Sequence, residues 1–203
     1  MKNNLIVILC FTAGIFCGTF ANTTISTYCE KLPQFLLYAL VIQVGLNLGA
    51  NAELGKMVKD IRFSSLLLPF FTIIGTLVFS AAASLLLTSW NIYDCMAVGS
   101  GFAYYSLSSL LIVQLKEASA GIEIASQLGA IALLANIIRE MLALFGAPLY
   151  ASFFGKFAPV SVAGINSMDV CLPVIRKNIV PVAIIHGIIL EISVPLLISL
   201  FCK

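Results

Sequence analysis

Charged residues are scarce in this sequence of 203 residues: only 10% are Asp, Glu, Lys or Arg, whereas 61% are hydrophobic. Soluble domains carry roughly 25% charged residues, so most of this protein's surface must face lipid, in agreement with its mean hydropathy of +1.08. The composition excludes a soluble enzyme, a nucleic-acid-binding protein, a disordered tail and a disulfide scaffold. The net charge of +2 is too small to indicate an anionic partner.

Motifs for metal binding, hydrolysis and nucleotide binding are also missing. The six cysteines include no C-x-x-C pair and most lie in apolar runs, which is typical of small buried residues rather than metal ligands. The sequence has no H-E-x-x-H, no G-x-S-x-G and no Walker lysine. We therefore expect no enzyme, no metal and no other cofactor. With no soluble region to bind ATP, any transport must use an ion gradient.

Seven stretches are long and apolar enough to cross a membrane as helices, which takes about 20 residues each. They are Leu5–Ala21, Pro33–Ala50, Phe63–Thr88, Cys95–Leu115, Gly121–Tyr150, Phe157–Ile175 and Val180–Cys202. The first also fits a signal peptide loosely, but its apolar run is longer than most signal cores. Residues 1–203 are thus predicted to form one all-α transmembrane domain.

Basic residues between the stretches predict the orientation. The loops after the second, fourth and sixth stretches carry Lys56, Lys59, Arg62, Lys116, Arg176 and Lys177, whereas those after the first, third and fifth carry only Lys31 and Lys156. Cytoplasmic loops hold the excess of Lys and Arg. We therefore expect a cytoplasmic N-terminus and, after seven spans, a periplasmic C-terminus.

Ionisable side chains inside a span cost about 2.5–3.5 kcal/mol each on insertion scales and point to function. Asn136, Arg139 and Glu140 of the fifth stretch share one helical face. They form either a structural ion pair that locks two helices or a substrate and proton site. In the second case Glu140 is the group that attracts a cation, and Arg139 pairs with another acid or with helix carbonyls.

The sixth stretch is interrupted by small and polar residues, among them Asn166, Ser167 and Asp169. Asn166 followed by Asp169 resembles a helix N-cap. A helix that starts inside the membrane offers free amides and a positive dipole end, as in the binding sites of secondary transporters. The alternative is an ordinary helix start at the membrane surface.

The fourth stretch is rich in hydroxyl groups and contains Tyr104, Tyr105 and Ser106. These residues either serve close helix packing or hold an ammonium group by cation–π attraction. Secondary candidates are Asn47 in the second stretch and His186 and Glu191 in the seventh. Because His186 and Glu191 are five positions apart, they lie on different helix faces and do not form a joint metal site.

In order along the chain, these motifs resemble the lysine exporter family LysO of bacterial inner membranes, over nearly the whole length. The resemblance is carried by Val44–Leu48, Gly99–Ser109, Asn136 with Arg139 and Glu140, Gly164 with Ser167–Asp169 and Leu172–Val174, and Val180–Pro181 with Ile185–Gly187. Full-length members are longer and begin with further spans. This chain looks like their C-terminal two-thirds, which suggests one subunit of a split exporter.

The resemblance implies export of L-lysine and toxic lysine analogues, in exchange for protons, across the bacterial inner membrane. It implies one essential intramembrane acid in each half; the second matches Glu140, and the first falls in the absent segment, which a small membrane subunit would supply. The family is similar to cation–proton antiporters and bile-acid-type transporters. This implies inverted repeats with one or two discontinuous helices, the sixth stretch among them.

Three other interpretations stay open on the sequence. The protein could export another cationic amino acid, exchange inorganic cations for protons, or be a membrane subunit that does not transport. A homo-oligomer could also replace the absent part. Competition between substrates in a flux assay distinguishes the transport hypotheses from one another. Neutralising Glu140 distinguishes transport from a subunit that does not transport.

Overall fold

The computed structural model describes residues 63–175 and 179–202, and before them six isolated positions: Ala13, Phe16, Phe35, Ala39, Ile42 and Leu46. The chain divides into two compact units, Met1–Ala39 and Leu40–Lys203, and every element below belongs to the second. Apart from those six positions, the predicted stretches Leu5–Ala21 and Pro33–Ala50, with the candidate Asn47, lie outside the described residues.

Every element in the described part is a helix. They are α1 Phe63–Ala83, α2 Ile92–Gly99, α3 Tyr105–Ala120, α4 Ile122–Phe154, α5 Ala158–Ala163, two 3₁₀ helices at Gly164–Met168 and Leu172–Val174, and α6 Val180–Phe201. Helices α4 and α6 are long and apolar enough to cross a membrane, and α1 contains the shorter apolar helix Leu67–Ala83.

The first described helix, α1, is shorter than the predicted span, which ran to Thr88. The amides of Ser84, Leu85 and Leu86 donate to carbonyls three residues back, at 3.0–3.2 Å. This bonding closes a turn after Ala83 instead of continuing the α-helix. The predicted span was too long because it included the apolar leucines that follow Ala83.

The predicted span Cys95–Leu115 is broken in the structure. Helix α2 begins at a capping box, in which Asn91 Oδ1 accepts from the Asp94 amide at 2.8 Å and Asp94 Oδ2 from the Asn91 amide at 3.4 Å. It ends after eight residues at Gly99, and α3 begins only at Tyr105. We call residues 92–120 hairpin 1.

The two arms of hairpin 1 fold back on each other. Lys116 Nζ lies 2.7 Å from Asp94 Oδ1, and both side chains are buried. In a straight helix, residues 22 positions apart would be separated by about 33 Å. The prediction that this stretch crosses the membrane as one span is therefore wrong: it enters and leaves at the same end.

The predicted span Phe157–Ile175 also folds back. Val160 near its start shares an apolar cluster with Ile175 at its end and with Ile179 and Ala183 of the following segment. A straight helix would separate Val160 from Ile175 by about 22 Å. The span prediction is wrong here too, and we call residues 158–175 hairpin 2.

The two hairpins enter from opposite ends of the helical unit. At one end, called the Asp94 end, Cys202 lies in electrostatic range of Asp94 and Lys116, and Ile124 of α4 lines a cavity with the same pair. At the other, called the Lys156 end, Leu68 of α1 packs on the hairpin 2 cluster. Helices α1, α4 and α6 thus run from end to end between the hairpins.

We expect the Asp94–Lys116 ion pair to hold the base of hairpin 1. Its side chains are only 9% and 10% exposed, so Lys116→Met or Asp94→Asn alone leaves one buried charge unpaired and destabilises the fold by about 3–5 kcal/mol. We expect the double variant to lose less stability than the sum of the losses in the two single variants. Thermal unfolding in detergent measures this, with exposed Glu117→Gln as the control; two harmless single variants would contradict the assignment.

Candidate functional site

The site is built where the tips of the two hairpins touch. The Ile165 amide donates to the Phe102 carbonyl at 3.0 Å. Phe102 and Ala103 are fully buried and have positive φ, +43° and +73°, a conformation that costs roughly 1–2 kcal/mol per non-glycine residue. Such strain persists only where surrounding contacts enforce it.

Asn136 of α4 makes some of the contacts that hold the strained backbone of Phe102 and Ala103. Its Oδ1 accepts from the Ala103 amide at 2.7 Å, and its Nδ2 donates to Ala132 O at 2.8 Å and to Ser108 Oγ at 3.3 Å. Only 3% of Asn136 is exposed. Its side chain replaces the helical hydrogen bond that the break in hairpin 1 removes. Gly101 leaves room for it, since a Cβ there would lie 2.3 Å from Nδ2.

Arg139, one turn along the same helix, holds hairpin 2. Its Nε donates to Val162 O at 2.9 Å and its Nη2 to Ser161 O at 3.0 Å, while its Cζ lies 5.8 Å from the centroid of the Phe102 ring. Within the described residues it makes no ion pair. Of the two partners predicted for Arg139, helix carbonyls are therefore the ones found.

Glu140 lies on a different side of α4 and faces an acidic environment. Only 3% of it is exposed, and Asp169 lies in electrostatic range of its carboxylate. Glu191 of α6 is 7% exposed and in range of Asp169 as well. We call Glu140, Asp169 and Glu191 the acidic cluster.

Two tyrosines at the start of α3 border the acidic cluster. Tyr105 lies in electrostatic range of Glu140 and Asp169, and Tyr104 in range of Glu191 and Asp169. The structure thus brings together five of the predicted residues from four segments. Ser106 follows in the same helical turn and is half-buried.

The N-cap predicted at Asn166 is wrong. Asn166 lies inside the 3₁₀ helix Gly164–Met168, and its Nδ2 donates across to Ala103 O at 3.3 Å. The Asp169 amide is not free, because it donates to Asn166 O at 3.2 Å. The helix of the sixth stretch is interrupted, as predicted. The interruption is a turn at a hairpin tip, however, and not a helix N-terminus that could bind a carboxylate.

Two other predicted candidates point elsewhere. Ser167 is fully buried and donates its hydroxyl to Ala183 O of α6 at 2.8 Å, so it ties hairpin 2 to that helix. His186 is fully buried, and neither of its ring nitrogens has a hydrogen-bond partner among the described residues. It lies in range of Arg139 instead of the acids. The part of the chain described here contains no group of side chains arranged to hold a metal ion.

Sequence reasoning missed the backbone part of the site. Phe102 and Ala103 carry the strained tip, and Cys171, fully buried, lies in range of Glu140 and Asp169. The glycines around Phe102 were interpreted as serving close helix packing, so the break in the helix at Phe102 was not predicted. The position of Cys171 depends on the fold of hairpin 2 and left no local signal.

Comparison with known proteins places this arrangement in a family. The family model described as "Lysine exporter LysO" matches residues 8–202. The chain belongs to the LysO family. It is 25% identical over 202 residues to the lysine exporter LysO of Escherichia coli K12, covering 97% of this chain and 62% of that protein. It is 28% identical over 171 residues to a putative lysine exporter of Haemophilus influenzae, covering 82% of each.

No solved structure matches the chain significantly. The chain spans less than two-thirds of the E. coli LysO protein. Family membership together with the apolar helices identifies it as a membrane protein of a transport family.

Three of the motifs that carry the LysO resemblance meet at the hairpin tips. Gly99–Ser109 forms the tip of hairpin 1 and Gly164–Asp169 that of hairpin 2, with the polar face of α4 against both. Gly187 of α6 permits close approach, since a Cβ there would lie 2.6 Å from Met168 Cγ. These three motifs therefore belong to one contact region of the fold.

Gly164→Ala tests the contact between the tips. Gly164 has φ +60°, and a Cβ there would lie 2.3 Å from the Phe102 carbonyl oxygen. We expect a loss of stability of about 1–3 kcal/mol, measured by thermal unfolding in detergent. Gly155→Ala is the control: its φ is +89° but the space around it is open. Equal effects of the two changes would show that backbone strain, and not the contact, matters.

Proposed function

We propose that this chain exports L-lysine and toxic lysine analogues across the bacterial inner membrane in exchange for protons. The observation that carries the proposal is the acidic cluster at the hairpin tips of a chain whose relatives are named lysine exporters. Carboxylates in a lipid-facing protein are expensive and are kept where a cation passes.

The cluster suits a cation that alternates with a proton. Asp169 lies in electrostatic range of both Glu140 and Glu191, so these like charges repel, and a bound proton or ammonium group lowers that repulsion. Glu140 binds either the substrate ammonium or a proton, and Asp169 and Glu191 add to the attraction. Tyr104 and Tyr105 contribute aromatic faces at which an ammonium group is favoured.

The hairpins change the orientation argument, and we propose that the Lys156 end faces the cytoplasm. The basic residues that flank elements of this end in the sequence are Lys59, Arg62, Lys156, Arg176 and Lys177. At the Asp94 end Lys116 is neutralised by Asp94, and the other charges near it in sequence, Glu117 and Glu123, are acidic. The positive-inside rule then places the Asp94 end and Cys202 in the periplasm, as predicted for the C-terminus. The cytoplasmic N-terminus stays a prediction.

We also propose that a small membrane subunit completes the exporter. This chain spans 62% of the length of the E. coli relative, and of the two essential acids implied by the family resemblance only the one matching Glu140 is assigned to this chain. That subunit would supply the further spans with their acid. A homo-oligomer is the competing arrangement.

Flux of labelled L-lysine from cells without their own exporter tests these proposals. The chain is expressed alone and together with a candidate small membrane subunit, and resistance to a toxic lysine analogue is scored in parallel. Efflux only with both proteins supports the split exporter, and efflux from the chain alone supports an oligomer. Efflux that arginine, ornithine or an alkali cation displaces more strongly than lysine points to another cation. Normal insertion without any flux points to a subunit that does not transport.

A further inference from the structure

A cavity of about 550 Å³ lies at the Asp94 end of the helical unit, and no residue of the acidic cluster lines it. It is bounded by the turn that follows α1, the first turn of α2, the last turn of α3 and the start of α4. The side chains with a hydroxyl or amide group that line it are Thr88, Ser89, Asn91 and Ser119. Binding sites for small molecules typically have volumes of about 300–1,000 Å³ and a few convergent polar groups. This cavity, which we call the Asp94 cavity, therefore has the size and the lining of such a site.

The Asp94–Lys116 ion pair forms part of the cavity wall and has unused hydrogen-bonding capacity. Lys116 Nζ carries three hydrogens, yet Asp94 Oδ1, at 2.7 Å, is its sole polar partner among the described residues. Asp94 Oδ1 in turn makes no hydrogen bond within the described part of the chain apart from this ion pair. A buried ion pair is favourable only when further hydrogen bonds satisfy its remaining donors and acceptors. The pair is therefore suited to a ligand that accepts from Lys116 and donates to Asp94.

The charges in the cavity wall favour a zwitterion as the ligand. Asp94 and Lys116 are opposite in charge and adjacent, so a ligand with a single charge is attracted by one of them and repelled by the other. A ligand with an ammonium group and a carboxylate side by side makes favourable, charge-assisted hydrogen bonds with both. In an α-amino acid these two groups are attached to the same carbon atom. The head of an amino acid therefore complements the ion pair better than a simple cation or a simple anion does.

We propose that the Asp94 cavity is a second substrate site, which binds the α-ammonium and α-carboxylate groups of L-lysine before its release. The inference rests on the proposed function, which places the Asp94 end in the periplasm, and it adds a step of substrate release. Trp90 is half-buried in the same wall and offers an aromatic face to the aliphatic chain and terminal ammonium group of lysine. Since every α-amino acid has the same head, the Asp94 cavity accepts neutral amino acids as well, and selection of lysine stays with the acidic cluster.

Fluorescence of Trp90 tests this binding directly, because it is the single tryptophan of the chain and lines the cavity. The full chain in detergent is titrated with L-lysine, with L-alanine and with cadaverine, the diamine that is lysine without its carboxylate. We expect the Kd values of lysine and alanine to agree within about tenfold, and cadaverine to bind at least about tenfold more weakly because it cannot accept from Lys116. Binding of cadaverine as tight as that of lysine would overturn the proposal. So would the absence of binding by either amino acid, which would leave water as the occupant of the cavity.

Ala120→Leu and Ala118→Leu form a matched pair of variants at the end of α3. Ala120 lines the Asp94 cavity, whereas Ala118 is exposed and lies outside its wall, and alanine and leucine are both strong helix formers. We expect Ala120→Leu to fill part of the cavity and weaken L-alanine binding by about tenfold or more, while Ala118→Leu leaves the Kd within about twofold of the wild type. Trp90 also borders the cavity of about 260 Å³ beside α1, which Ala120 does not line. Unchanged binding in Ala120→Leu would thus put the ligand elsewhere and overturn the assignment.

Glu140→Gln distinguishes the Asp94 cavity from the acidic cluster. Glu140 does not line the cavity, so we expect the fluorescence response to L-alanine to be the same in this variant as in the wild type. Loss of the response would place it at the acidic cluster and contradict the second site. A response to alanine in a chain that exports no lysine would leave the amino-acid site intact and overturn the proposed function instead.

External L-alanine tests the place of the cavity on the export route. At about ten times its Kd, alanine occupies all but about a tenth of the sites. We therefore expect initial efflux of labelled lysine, from cells that express the complete transporter, to fall by up to about tenfold, and Ala120→Leu to remove this inhibition. Alanine that binds without slowing efflux would take the cavity off the export route and overturn its role in release.

Discussion

Glu140→Gln is expected to reduce lysine efflux by about 100-fold or more while the protein inserts and unfolds normally. The amide keeps the shape, but it can neither bind a proton nor pair with an ammonium group in a site that is 97% buried. Loss of one buried charge partner typically costs several kcal/mol of binding. Initial efflux of labelled lysine at equal membrane abundance measures the effect.

Glu123→Gln is the matched control for this prediction. Glu123 lies in the first turn of the same helix but is exposed, so its neutralisation should leave the flux within about twofold of the wild type. If Glu140→Gln retains normal flux, the substrate and the proton pass elsewhere, and Asp169 and Glu191 become the carboxylates to neutralise. If both variants lose flux equally, net charge and not the buried site is responsible.

Local sequence patterns predicted the helical class and much of the polar site. Spacing alone put Asn136, Arg139 and Glu140 on one side of a helix, and the small and polar residues of the sixth stretch predicted a discontinuous helix there. These features depend on a few neighbouring residues. The structure adds that Arg139 and Glu140, adjacent in the chain, diverge from each other, one towards hairpin 2 carbonyls and the other towards acids.

Long-range folding is what the sequence did not show. An apolar run of about 20 residues looks the same whether it crosses the membrane or turns back inside it. The information that separates the two cases is a contact between distant residues, Lys116 with Asp94 in hairpin 1 and Val160 with Ile175 in hairpin 2. A charge count along the chain also treats Lys116 as a free basic residue, because it cannot reveal that an acid 22 positions earlier lies beside it.

Arg139→Met is expected to give the opposite signature from its neighbour Glu140: a loss of stability that precedes any loss of flux. The change removes the donors for Ser161 O and Val162 O and the contact with the Phe102 ring. Leaving two half-buried carbonyls unpaired costs about 2–6 kcal/mol. Thermal unfolding in detergent and membrane abundance measure this, and flux should fall only in proportion to the folded protein.

Arg139→Lys separates geometry from charge. A lysine ammonium keeps the charge but cannot reproduce the planar fork that bonds two successive carbonyls, so we expect it to recover at most about half of the lost stability. Lys156→Met is the control for the aromatic contact, because its ammonium lies over the Phe157 ring at 5.1 Å but is exposed; that change should cost less than about 1 kcal/mol. A stable Arg139→Met protein with no flux would instead place the guanidinium on the transport path. Its position beside cavities of about 260 and 620 Å³ would then matter directly, since a buried cation with no described acid partner can bind the substrate carboxylate.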